Sequence, residues 1–199
     1  MEDSLSRDAR LVLDLALTLR RDGHGGIADD LTDPAGLTAW VRAHPEALPG
    51  GVDFTADEAA LTAVRDLRAA VRALFARAVR PGEPSPADAD RLLPVPEALH
   101  RLNTAAAGTP TVPVLHWADD AEPDVRHRAV QGGGDLAAAL AHTAIAFLAG
   151  PDRRRLRACR APRCARYFLE RHPRQEWCEP SCGNRARVAR RHERHRTSV

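Results

Sequence analysis

The only four cysteines of the chain fall within 24 positions, as Cys159-x4-Cys164-x13-Cys178-x3-Cys182. Each short half can bend into a loop that presents two thiolates to one ion, and two such loops about a dozen residues apart complete a tetrahedral sulfur shell. Arg160-Ala161-Pro162-Arg163 and Glu179-Pro180-Ser181 suit those loops, because proline fixes its own φ and leaves the other amides to hydrogen-bond sulfur. The spacing predicts one structural zinc ion on Cys159, Cys164, Cys178 and Cys182. Four thiolates on Zn²⁺ carry a net charge of about −2, which the flanking Arg160, Arg163 and Arg185 can offset. Two disulfides or four unrelated thiols are the competing readings. The opening MEDSLSRDARLVLDLAL has acids and arginines throughout and does not read as a secretory segment, so a reducing cytoplasm is expected and stable disulfides are not.

The formal net charge of +2 conceals an asymmetry. Residues 1–150 carry 14 Arg against 22 Asp and Glu, net −8, whereas residues 151–199 carry 15 Arg against 5 acids, net +10. Lysine is absent, which with the abundance of Ala, Arg, Gly and Pro fits a GC-rich genome but does not explain why the arginines segregate. A cationic cysteine-bearing module points to a polyanionic partner, nucleic acid first. The longest near-apolar run, 136–149, contains His142 and is too short to cross a bilayer, so a soluble protein is expected.

The expected architecture is α+β: a helix-rich N-terminal domain with a few short strands over 1–150, then a small four-cysteine zinc-finger module over 151–199 ending in a basic helix. Leu11 to Leu19 is apolar at odd positions over most of its length and suits either a half-buried strand or a helix from Ser6. Gly23 to Gly26 reads as a turn, and Thr32-Asp33-Pro34 as a cap ahead of a helix with Leu37, Trp40 and Val41. Thr55 and Glu58 have capping-box spacing before an apolar stripe from Leu61 to Ala78, with Arg65, Arg68 and Arg72 placed mostly off it. A further helix is expected from Ser85-Pro86, broken at Pro94 and Pro96 before 97–107. Segments 111–117 and 125–130 read as strands about an acidic turn, Gly132 to Gly134 as a joint, and Asp135 as the cap of a central buried helix over 136–148.

Between the cysteine pairs, 166–169 reads as a strand, 172–174 as a turn and 175–177 as a return strand, with Tyr167, Phe168 and Trp177 packing around the metal because so small a module has no other core. The basic helix is expected to begin at Cys182-Gly183-Asn184, where a thiolate gains from a helix N-terminus, and to run over 185–196. It places Arg187, Arg190, Arg191 and Arg194 on one face and leaves Ala186, Val188 and Ala189 for packing. His172, His192 and His195 are spare beside four thiols. His24, His116 and His142 lack paired metal-ligand spacing, and no phosphate-loop, dinucleotide or nucleophile-elbow motif is present.

Trp177-Cys178, Cys182-Gly183-Asn184-Arg185 and the basic helix that follows, together with Cys159-x4-Cys164 and Tyr167-Phe168-Leu169, resemble the CGNR zinc-finger family. In that family the finger usually follows an ABATE domain, to which Leu13-Asp14-Leu15-Ala16-Leu17-Thr18 and Leu102-Asn103 are similar. Leu17 stands where the family's opening motif commonly has asparagine, Cys178-x3-Cys182 is one residue shorter than the spacing in many members, and Glu176 replaces a frequent basic residue. The resemblance implies zinc on the four cysteines, DNA binding and a role in transcription.

The leading expectation is thus a DNA-binding transcriptional regulator. Arg187, Arg190, Arg191 and Arg194 are its candidate DNA contacts, and Arg185 contacts either DNA or a group within the module. The first domain is expected to sense a small-molecule effector or to form a homodimer. The alternative is a protein-interaction or RNA-binding adaptor that uses the same module. An enzyme built on Asp14, or on Asp119 and Asp120 beside His116, lacks a paired constellation and is not expected.

Overall fold

A computed structural model of the chain describes residues 7–21, 26–45, 48, 51–85, 88, 91–130 and 135–196. The glycine positions expected to turn at 23–25 and to form a joint at 132–134, and the expected helix start at Pro86, lie outside the described residues.

Helix α1 spans Arg7–Leu17, which settles the ambiguous first segment. Its outward residues Arg7, Arg10 and Asp14 are spaced by three and four, the helical interval, while Ala9, Leu11, Val12, Leu13, Leu15 and Ala16 are buried. Thr18 closes the helix by donating its hydroxyl to Leu15 O at 2.7 Å. Strands β1 (Leu19–Arg21) and β2 (Ile27–Asp29) then pair antiparallel. Asp33 caps helix α2 (Pro34–Arg42), its Oδ1 accepting from Gly36 N at 2.8 Å, with Pro34 in the first turn where its missing N–H costs nothing. Gly36 is dictated by crowding, since a Cβ there would sit 2.5 Å from Asp30 O.

Helix α3 (Glu58–Ala78) starts later than expected and is capped by Asp57, whose Oδ1 accepts from Ala60 N at 2.8 Å. The residues ahead of it are tied to α2: Arg42 Nε donates to Phe54 O and Ala56 N donates to Thr38 Oγ1, both at 3.0 Å. Thr55 is thereby held out of the cap position, and Glu58 becomes the first helical residue. Arg68 and Arg72, expected off the stripe, are 4% and 2% exposed. They lie on the same helical face as Leu61, Val64, Val71 and Phe75, and their guanidinium groups are paired with the half-buried Asp29 and the buried Asp88. Arg68 bonds Asp29 through both nitrogens at 2.6 and 2.7 Å and reaches Thr18 Oγ1 at 2.8 Å, pinning the β1–β2 pair to α3.

Helix α4 (Val95–Ala107) starts after Pro94 and takes Pro96 into its first turn, where a missing N–H costs nothing, instead of breaking there. Strands β3 (Thr111–His116) and β4 (Asp124–Ala129) form an antiparallel hairpin about the acidic turn. Helix α5 (Leu136–Ala149), capped by Asp135, packs against α1, α3 and α4 and is the central helix expected. No described helix is long and apolar enough to cross a membrane.

After α5 a 3-10 turn, Pro151–Arg155, leads into β5 (Leu156–Ala158), which pairs antiparallel with β6 (Tyr167–Leu169). The partner of β6 is therefore β5, and 175–177 is not a return strand. Leu156, Tyr167 and Leu169 join the helical core, so the pairing of β5 with β6 buries one apolar face against α1 and α3. Gln175 is instead folded into its own loop: its Oε1 accepts from Arg171 N at 2.8 Å and its Nε2 donates to Trp177 O at 3.1 Å. The last helix, α6 (Pro180–Arg196), begins just ahead of the expected start, so that Cys182 and Gly183 lie inside its first turn and not before it. The α+β reading holds.

Candidate metal centre and basic helix

Cys159 follows β5, its N–H donating to Arg166 O at 2.9 Å. The turn to Cys164 is closed by Cys164 N donating to Ala161 O at 3.0 Å, with Arg163 at φ 59°, a left-handed conformation uncommon outside glycine. Cys178 precedes α6 and Cys182 sits within it. The four sulfurs lie within 4.8 Å of one another, with Cys164 to Cys178 at 3.7 Å and Cys178 to Cys182 at 3.5 Å. A tetrahedron with metal–sulfur bonds of about 2.3 Å has edges of about 3.8 Å, so these separations suit one zinc ion. Cys159, Cys164 and Cys182 are buried and Cys178 is half-buried, which makes a closed structural centre. None of the four is in a disulfide.

Four sulfurs this close cannot all ionise without a cation. Hydrogen bonds from Cys164 and Cys178 draw Cys159 far below its ordinary value, and the same contacts push Cys164 and Cys178 up. A divalent cation removes that conflict, and ligation proceeds with loss of the remaining protons.

Each residue of the tetrad Cys182-Gly183-Asn184-Arg185 has a task. Cys182 is a ligand. A Cβ on Gly183 would stand 3.0 Å from Trp177 Cδ1, so glycine lets the indole lie against the helix. Asn184 Oδ1 accepts from Arg187 Nη2. Arg185 Nη2 donates to Cys182 Sγ at 2.8 Å, and that hydrogen bond raises the guanidinium pKa further. Of the three arginines expected to offset the cluster's charge, Arg185 reaches sulfur, while Arg160 and Arg163 are exposed. Arg166 pairs with Glu179 beside the second loop.

Phe168 and Trp177 pack around the sulfurs, as expected, together with Ala161. Tyr167 does not. It is 1% exposed in the helical core, edge-on to Phe75 at 5.4 Å, because β6 turns alternate side chains to opposite faces. Its hydroxyl donates to Asp88 Oδ2 at 2.7 Å, Arg72 Nε donates to Asp88 Oδ1 at 2.8 Å, and Arg72 Nη2 reaches Ala165 O at 3.4 Å. Sequence reading missed this junction between α3 and the cysteine module. A tyrosine and an arginine in otherwise apolar surroundings are its only trace in the sequence.

Arg187, Arg190, Arg191 and Arg194 are all exposed on α6. Arg190 lies 6.0 Å from the centre of the Trp177 ring, and Arg194 Nε donates to Arg190 O at 3.3 Å. Ala186 is buried and Ala189 half-buried, but Val188 is 56% exposed and does not pack. Cys182, Ala186 and Ala189 are spaced by four and three and share the buried side, whereas Val188 is two residues past Ala186, about 200° round the helix, and falls outside it. His172 and His192 are exposed and outside the sulfur cluster, and the side chain of His195 lies outside the described residues. Asp14 is 3.4 Å from His44 Nε2, and Asp119 and Asp120 lie exposed in the hairpin turn.

A closed four-cysteine centre at the root of a basic helix defines a zinc-finger protein. A family model named ABATE, with the description "Putative stress-induced transcription regulator", matches residues 9–151, and the CGNR zinc finger model matches residues 155–195. The chain belongs to the ABATE family and carries a CGNR zinc finger. No curated protein matches it.

Proposed function

We propose that the protein is a DNA-binding transcriptional regulator in which the zinc module, 151–199, docks α6 on the duplex while the domain over 1–150 senses an effector or dimerises. The observation that carries this reading is the exposure of Arg187, Arg190, Arg191 and Arg194 on a helix whose first turn is clamped by Cys182. A helix this rich in like charge repels itself in water, and a polyphosphate relieves the repulsion. Arg185 serves the thiolate, so its contribution to DNA is indirect, through the start of α6. Four reduced, clustered thiols suit a reducing cytoplasm.

The test is genome-wide DNA occupancy of the native protein beside a Cys178→Ser variant. Occupancy that is lost in the variant supports the reading. Occupancy absent from both proteins overturns it in favour of an adaptor that uses the same basic surface on protein or RNA.

A further inference from the structure

Among the described residues, each strand of the β3–β4 hairpin has the other as its sheet neighbour, and neither joins a larger sheet. Leu115, Trp117 and Val125 are 65%, 68% and 60% exposed. Leu115 and Val125 are directly opposed across the two strands, and Trp117 is two residues on, so all three mark one face. An isolated two-stranded hairpin is marginal in water, and three or more strands are needed for stability of its own.

The register identifies which edge can accept another strand. Val130 N donates to Pro110 O at 3.0 Å, one step beyond the ladder and in the same register. Hydrogen-bonded pairs therefore fall at even residues of both strands, and at odd residues the backbone groups point away from the partner. Pro113 is odd, so the outer edge of β3 lacks a donor at its middle. On β4 the odd residues Val125, His127 and Ala129 all retain outward N–H and carbonyl groups. Among the described residues, the β3 edge is interrupted at its middle and the β4 edge is open from Val125 to Ala129, beyond Pro123.

We propose that the open edge of β4 pairs antiparallel with β4 of a second copy of this chain, joining the two hairpins into a four-stranded sheet across a two-fold axis. Charge complementarity selects this occupant. Antiparallel addition lays the acidic turn of one hairpin, with exposed Asp119, Asp120 and Glu122, beside the basic root of the other, where Arg128 is exposed. With Val125 on the axis, Val125 pairs with its own copy through both N–H and carbonyl, His127 faces Pro123, which offers only a carbonyl, and Arg128 stands opposite Glu122 of the second copy, twice by symmetry. The Leu115 and Val125 side chains of both copies then form one continuous apolar row. The arrangement leaves α6 and the sulfur centre uninvolved and stands independently of the DNA-binding reading.

Sedimentation equilibrium of the zinc-loaded full chain tests it. Wild type is expected at twice the chain mass of 21.6 kDa. Arg128→Glu and Glu122→Arg are each expected at the single-chain mass, and an equimolar mixture of the two is expected to return to the doubled mass, because opposite charges again face each other. Val125→Pro, which removes the outward N–H on the axis together with the Val125 side chain and leaves the β3–β4 ladder bonds in place, is expected to be monomeric with unchanged helical circular dichroism. A monomeric wild type at tens of micromolar overturns the proposal and leaves the edge to a strand of another protein. A dimer indifferent to both charge variants, or a mixture that stays monomeric, overturns it as well.

Discussion

Arg72 meets Asp88, 16 positions away, and Asp88 meets Tyr167, 79 positions away, in a polar cluster sealed inside an apolar core. Removing one member of such a cluster leaves the others desolvated and short of a partner. Tyr167→Phe is expected to lower unfolding stability by about 1 to 3 kcal/mol, the cost of a buried hydrogen bond with its acceptor left behind, measured by urea denaturation of the zinc-loaded protein. Burial alone raises the Asp29 carboxyl, but hydrogen bonds from Arg68 and Leu31 N, together with the charges of Arg68 and Arg65, outweigh it and hold the group below its ordinary value. A depressed carboxyl stabilises the fold above its unfolded value of about 3.9 and loses that contribution as pH falls through the lower folded value. The stability gap between wild type and Asp29→Asn is therefore expected to be full at neutral pH and to shrink below about pH 4, and a gap that grows on acidification contradicts the assignment. At this scale the sequence reveals little beyond the cysteines. Their spacing is local and tied to one chemistry, whereas Arg68 and Arg72 look like ordinary surface arginines until distant strands supply Asp29 and Tyr167.

Caps and breakers made most helices legible: Asp33 and Asp135 cap α2 and α5, and Arg80-Pro81-Gly82 follows the end of α3. What failed was pairing, since a three-residue strand such as β6 carries no signal for its partner. Chain proximity suggested 175–177, but Leu156 and Leu169 have a helical core to cover and pair with each other. Val188 does not pack because residues two apart on a helix point about 200° apart, so it cannot share the side of Ala186, which follows the ligand Cys182 in the first turn by four. Metal and α6 are accordingly expected to fail together. Cys178→Ser should reduce bound zinc from one per chain toward none and lower helical circular dichroism, as chelation should in the wild type. Retention of full helicity without zinc would show that α6 needs no clamp. Gly183→Ala should displace the Trp177 ring, seen as a change in tryptophan fluorescence, because the added Cβ meets Cδ1 at 3.0 Å.

Across the whole molecule, an acidic helical domain and a basic zinc module share one core through Leu156, Tyr167 and Leu169. The charge split was plain in the sequence because it is a sum over many residues and needs no contacts. The shared core was not, since it depends on which face of β6 turns inward. The central claim is that a zinc-clamped α6 grips phosphates through Arg187, Arg190, Arg191 and Arg194. Its most direct test is the affinity of the zinc-loaded full chain for random-sequence duplex, measured against salt concentration. Four neutralised phosphates predict a slope of log affinity on log salt of about −3.6, reduced by about 2 in the Arg190→Ala/Arg194→Ala double variant. A slope near zero in the wild type, or one unchanged in the double variant, contradicts the account.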